Sequence, residues 1–222
     1  MWMEDVSELT QVLSDLEDVS NYLMGKRKVL QKEYETNRKQ QKAVEKNRLY
    51  NRIMNETRPQ IELYNKLVEQ LDQASEQEEI QRIVSRIAVV CAYIKRRDNL
   101  IFLDEKQQEH NKREMEFCLE ETINAIRLCE VHCDYRVNIE EPVEIEQIAS
   151  LYKSFYEIVM VSLDTLTHLY IYINELNGAL MLTMRLACAC DFRELDIPKA
   201  EVEREGDGWV ITVIEEKDGE AA

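Results

Sequence analysis

Glycine and proline are scarce in this 222-residue chain, with five glycines and three prolines, the latter at Pro59, Pro142 and Pro198. These are the two poorest helix formers, so long uninterrupted helices are permitted and helix is expected to dominate. Long apolar runs are missing too. Nothing approaches the roughly 18 apolar residues of a membrane span, and Met1-Trp2-Met3-Glu4-Asp5 has neither the basic start nor the apolar stretch of a signal peptide. The expected location is cytoplasmic, with a membrane reached only through a segment upstream of residue 1. Positive charge is in short supply, with 28 Lys and Arg against 44 Asp and Glu and a net charge of -16. Such a chain repels phosphate backbones and anionic headgroups, which excludes nucleic acid and lipid surfaces as expected partners. A glycine-rich phosphate loop is absent, and no Ser or Cys has a recognisable base partner. The six cysteines are not set in a small loop-rich scaffold, so they read as reduced, mostly buried thiols. Cys129, His132 and Cys133 with Cys188 and Cys190 are the set to weigh as a zinc site. Their spacing is not that of a ribbon or finger, so packed thiols, with no metal and no cofactor, are expected.

What is present begins with a heptad. Leu9, Leu16, Leu23 and Leu30, then Asn37, then Val44 recur every seven residues, with Val6, Leu13 and Tyr34 three before or four after members of that row. This is a coiled-coil seam, and Asn37 within it can pair with its own copy across a parallel homodimer and pin the register. A coil of about 40 residues spans some 60 Å at helical rise. Gly25, Ser20 and Arg27 mark a weak point in it. From Val44 the apolar pattern widens through Leu49, Ile53, Thr57, Ile61, Tyr64, Val68 and Leu71, which suits a helix entering a bundle of four, with Ile61 and Val68 expected at the dimer interface. Pro59 is expected to kink this helix. A polar break over residues 72–79 predicts a hairpin, and Ile80, Ile83, Ile87, Ile94 and Ile101 predict the returning helix.

Residues 103–115 are almost wholly polar and read as a connector. Phe117, Cys118, Ile123, Ile126 and Cys129 then rebuild an apolar helix face. A strand over 132–139, a helix over 145–166 and strands over 170–175 and 179–187 follow. The last two join through Asn177-Gly178, a hairpin signal because both turn positions need positive φ. Strands over 201–205 and 209–215 flank Gly206-Asp207-Gly208, with Trp209, Ile211 and Val213 sharing one face. The fold class is mainly α with a C-terminal α+β domain: an N-terminal coiled coil (1–43), a dimeric helical hairpin (44–104) and a small mixed sheet packed with helices (105–222).

The segment Glu45-Lys-Asn-Arg-Leu-Tyr-Asn-Arg-Ile-Met-Asn-Glu resembles the first dimerisation helix of bacterial sensor histidine kinases, whose usual wording is Glu-x-x-Arg-x-x-x-x-x-His-Asp/Glu. Ile87-Ala-Val-Val-Cys-Ala-Tyr-Ile-Lys-Arg-Arg-Asp-Asn-Leu looks like the second dimerisation helix of a Firmicutes branch of these kinases. Residues 133–175 are similar to the start of the ATP-binding domain of the histidine kinase, gyrase and Hsp90 superfamily. The resemblance implies a cytoplasmic kinase core, yet its chemistry is missing residue by residue. Met54 stands where the phosphoacceptor histidine belongs, and a thioether has no nitrogen to attack a phosphate. Val161 falls where a catalytic Glu would sit, Thr165 where a magnesium-holding Asn would, and Cys190-Asp191 reaches the place of the adenine-binding Asp. Phe192-Arg193-Glu194 then replaces the glycine-containing loop, and a glycine-rich lid is absent.

The function implied is a signal-transduction module, leaning away from enzyme activity, that acts as a dimeric scaffold or relay toward a response regulator or kinase. One alternative is an active kinase with an atypical phosphoacceptor, for which His110 in the connector and His168 are available. His168 reads more simply as closing the helix before a strand. Another alternative is a structural coiled-coil adaptor. Lys95-Arg96-Arg97 reads as an ion-paired helix face rather than a grip for a partner's phosphate.

Overall fold

The computed structural model describes residues 2–104, 112–140, 142–193 and 197–216, with the side chains of 2–15 and 17–21 outside that description. The elements in order are α1 (Trp2–Gln73), α2 (Gln77–Asp104), α3 (Lys112–Arg127), β1 (His132–Asn138), α4 (Ile145–Ser162), β2 (His168–Leu176), β3 (Ala179–Ala187), β4 (Ala200–Glu205) and β5 (Gly208–Glu215). Helices thus dominate and the sheet is C-terminal, as composition and periodicity predict. His110 lies outside the described residues. Among the described residues no helix is long and apolar enough to cross a membrane.

The chain divides into two compact units, Met1–Arg52 and Ile53–Ala222. In the first, the heptad row stands in solvent: Leu16, Leu23, Leu30, Asn37 and Val44 are all exposed, Val44 at 67%, while the Leu9 side chain lies outside the description. Local pairs such as Thr36 Oγ1 donating to the Lys32 carbonyl and Lys26 over the Tyr22 ring decorate the remaining surface.

In the second unit α1 continues as helix through Pro59. The proline ring removes the N–H that would bond the Asn55 carbonyl and crowds that carbonyl, yet helix extends on both sides of it. The turn between α1 and α2 is short, Ala74 N–H still donating to the Gln70 carbonyl. Glu78 and Glu79 then sit in the first turn of α2, where carboxylates suit the helix dipole.

The five strands form one sheet in the order β1-β2-β3-β5-β4, with β1 parallel to β2 and the rest antiparallel. Asn177 and Gly178 take φ of 55° and 80° at the predicted hairpin turn. Alternation sends Leu169, Ile171 and Ile173 of β2, Leu180, Leu182, Met184 and Leu186 of β3, and Trp209, Ile211 and Val213 of β5 to one buried face. Helices α3 and α4 lie on that face, and α2 lies on α3 and α4 in turn. One continuous core therefore runs from Leu67 and Ile83 in the hairpin to Ile211 and Val213 in the sheet.

The junction between hairpin and sheet domain is aromatic and ionic. Tyr93 of α2, 2% exposed, stacks on Tyr156 and Tyr152 of α4 with ring centroids 3.9 and 5.3 Å apart. The Tyr152 hydroxyl pairs with Thr122 Oγ1 of α3 at 2.7 Å. Arg86 of α2 donates to the Met160 carbonyl at the end of α4 and pairs with Asp164. Lys95 and Arg96 both engage Glu121, and Arg97 engages Glu56. The basic triplet is thus spent on internal pairs.

Burial in this core pushes the Tyr93 phenol and the Cys118 thiol up to about 12 each. Tyr152 and Tyr156 shift upward for the same reason. A group whose pKa is raised by folding keeps its proton in the folded state at pH values where the unfolded chain has lost it. The stability it contributes is therefore complete below the ordinary thiol and phenol values and is lost as pH rises through the folded values. Urea unfolding followed by circular dichroism should show a midpoint that falls continuously from about pH 9 to 12. A midpoint unchanged over that range would contradict this account of the core.

Candidate functional site

The positions that the family resemblance assigns to a nucleotide site converge at the C-terminal end of α4. Helix α4 begins with a capping box in which the Gln147 side chain accepts from the Glu144 N–H, and it ends at Ser162, earlier than the predicted 166. The cause is local. Leu163 N–H still bonds the Val159 carbonyl, but Thr165 N–H and hydroxyl both turn back to the Ser162 carbonyl, and Arg86 holds Asp164 from outside. Thr165 is therefore a turn residue rather than a helical one. His168 likewise opens β2 instead of closing a helix.

The segment leaving β3 comes to this same end. Cys190 Sγ lies 3.2 Å from the Val161 carbonyl and 3.3 Å from Thr165 Oγ1, and the Ala189 N–H donates to Thr165 Oγ1 at 3.2 Å. Val161, Thr165 and Cys190 are thus brought together, and they bond to one another. Val161 presents an exposed isopropyl group, 46% accessible. A magnesium ion would find at this point one hydroxyl already accepting an N–H, and a carbonyl facing sulfur.

Asp191 is also engaged. Its carboxylate accepts from the Arg193 N–H and Nε, and pairs with Arg193 Nη2 at 2.9 Å. The hydrogen bonds from the Arg193 side chain and backbone hold its carboxyl below the usual range. Between these two exposed residues Phe192 turns inward, fully buried, its ring edge-on to Trp209 at 5.8 Å. Arg204 also lies over the Trp209 ring, 5.7 Å from its centroid. The phenyl ring occupies core volume beside the sheet. A lone Phe in a polar stretch gave no periodic signal that could have revealed this.

Met54 lies on α1, half exposed at 51%, and Ile61 and Val68, spaced by sevens from it, are half-buried. On α2, Val84 and Cys91 are exposed at the same spacing. The cysteines are all free. Cys118 alone is buried and Cys91 is exposed, with the other four between, so fewer are buried than the sequence suggests. Among the described residues no group of three or more His, Cys, Asp or Glu is placed to hold a metal ion. Burial raises Cys129, Cys133 and Cys188, Cys133 to about 11, which makes them poor thiolates.

No protein-family model matches the chain, nor does any curated protein sequence. Solved structures do. The histidine kinase domain of a blue-light activated histidine kinase from Erythrobacter litoralis is 12% identical at a TM-score of 0.40, over 69% of this chain and 94% of that one. The Acinetobacter baumannii histidine kinase AdeS is 10% identical at 0.39, over 74% and 98%. A structure described as a bacterial phosphotransferase is 10% identical at 0.41, over 75% and 93%.

Proposed function

We propose that the chain is a signal-transduction module built like a sensor histidine kinase core that works without nucleotide chemistry, as a dimeric scaffold or relay. The exposed heptad row from Leu16 to Val44 pairs with a second copy. The half-buried seven-spaced row of Met54, Ile61 and Val68 continues that pairing into a four-helix bundle. A change of register or rotation in the coil is passed to the hairpin and read by a protein partner of the response-regulator or kinase kind, on the cytoplasmic side. Discrete packings of a coil can be biased in this way with no catalytic step.

The observation that supports this reading most directly is the mutual bonding of Val161, Thr165 and Cys190, with Phe192 in the core behind them. A nucleotide enzyme needs open space and metal ligands, whereas these groups are engaged with one another. Met54 supplies no phosphoacceptor nitrogen on α1.

The test is a calorimetric titration of the full chain with magnesium-ATP, paired with sedimentation equilibrium. The expected result is a dimer with no binding heat at millimolar nucleotide. Micromolar binding would overturn the nucleotide-free reading. A monomer at tens of micromolar protein would overturn the paired coil.

A further inference from the structure

On the sheet face opposite α3 and α4, the row at the His132 end has an uneven profile that creates a hollow. Across β1, β2 and β3 that row reads His132, His168 and Ala187, and Gly208 of β5 stands beside Ala187. Ala187 and Gly208 leave the middle of the row low, and a Cβ at Gly208 would meet the Leu186 carbonyl oxygen at 2.7 Å, so the depression cannot be filled by substitution there. A cavity of about 910 Å³ opens at this end of the sheet, lined from the outer face by the two histidines, Tyr170, Arg185 and Glu205 and from the helix-covered face by Leu186 and Trp209. None of Val161, Thr165, Cys190 or Asp191 lines it, so it is separate from the filled position described above.

The two imidazoles are direct cross-strand partners, with ring centroids 5.1 Å apart and planes 34° from parallel. Thr167 decides the tautomer of one of them. Its hydroxyl donates its single proton to the Ala187 carbonyl at 3.0 Å, and its oxygen lies 3.2 Å from His168 Nδ1. With that proton committed, the hydroxyl can only accept from the ring, so a neutral His168 carries its hydrogen on Nδ1 and presents a bare lone pair at Nε2. Thr167 is itself fixed, its N–H donating to the Ala187 carbonyl and its own carbonyl accepting the His132 N–H, both at 2.9 Å. An imidazole oriented through its second nitrogen is the arrangement that metal-binding histidines use.

We infer that His132 and His168 form an open two-imidazole site for a divalent transition metal of the zinc, nickel or copper class. Metal–nitrogen bonds of about 2.0–2.1 Å allow two rings whose centroids lie 5.1 Å apart to share one ion. Imidazole selects these ions over magnesium or calcium. Charge favours a cation over an anion: Glu130, Asp134 and Glu205 line the cavity against Arg127 and Arg185, and both arginines are engaged. Arg127 donates to Asn124 and to the Cys133 carbonyl, and Arg185 leans toward Glu205 at 3.9 Å. With no third protein donor grouped with the pair among the described residues, water or a donor from a bound partner completes the coordination.

The test uses the full chain carrying Trp2→Phe, which leaves Trp209 as the sole tryptophan and an internal reporter on the cavity. Nickel chloride is titrated while Trp209 fluorescence is followed. The expected result is saturable quenching at one ion per chain, lost in His132→Ala and in His168→Ala. Thr167→Val, which frees the ring, should weaken it by about 10–100-fold. Both histidines are exposed, so the variants should fold, and His168→Gln with an unchanged circular dichroism spectrum guards against a fold effect. Quenching that survives both histidine variants would assign the metal to thiols and overturn the inference, as would the absence of saturable quenching. A histidine-dependent response to inorganic phosphate but not to nickel would overturn it in favour of an anion subsite.

Discussion

Phe192→Ala should destabilise the folded chain by about 3–5 kcal/mol, the usual range for deleting a fully buried aromatic ring. For a protein of this size that corresponds to a drop in Tm of roughly 6–20 °C. The size follows from its position: Phe192 has no exposed surface and meets Trp209 edge-on, so its removal leaves a void and forfeits an aromatic contact. Arg193 on its C-terminal side is exposed and makes its bonds to Asp191 locally, so it cannot close the gap. Thermal unfolding by circular dichroism measures the change. A loss under about 1 kcal/mol would mean that the segment after β3 is peripheral. The same variant bears on the proposed function, because it empties the space that the phenyl ring holds. Magnesium-ATP binding gained on removing it would indicate that one side chain had closed an otherwise competent pocket.

Tyr93→Ala is expected to cost about 3–5 kcal/mol as well, for a different reason. Tyr93 joins two regions that sequence alone treats as separate domains, stacking on Tyr152 and Tyr156 across the α2–α4 junction. Each stacked pair contributes about 0.5–1.5 kcal/mol beyond burial. Because the hairpin and the sheet share one core, hydrogen exchange in the unaltered protein should give α2 and α4 amides a common opening free energy. In Tyr93→Ala, α2 should open before α4. If α2 already exchanges far faster than α4 in the unaltered chain, the hairpin and sheet domain move independently and the junction does not behave as one body.

The parts of this fold that announce themselves in sequence are those governed by local rules. The break after Leu71 and the Asn177-Gly178 turn each follow from the geometry of one element, and each stands where periodicity or φ preference puts it. The α2 periodicity identified an apolar face but not what covers it; that face meets α3 and α4, beyond the reach of any pattern within α2. Pro59 carries a local cost visible in sequence, while the burial of Ile53, Thr57 and Leu67, which holds the helix on both sides of it, is not. The end of α4 moved for the opposite reason, since Thr165 and Arg86 supply bonds that compete with another helical turn. At the candidate site the family resemblance gives Val161, Thr165 and Cys190 each a motif position, but says nothing of the bonds they make to one another. In sequence His168 stands alone, and the parallel pairing of β1 with β2 gives it His132 as a neighbour.

Gln147 links the first turn of α4 to distant parts of the chain. Its amide oxygen serves the helix start three residues away, while its Nε2 donates to the carbonyls of Gly178 and Glu215, 31 and 68 positions further along. On a ribosome, α4 emerges well before either carbonyl exists. A nascent chain halted after β2 therefore holds a helix whose entry is tied at one end only, and the knot closes last, when the final strand arrives.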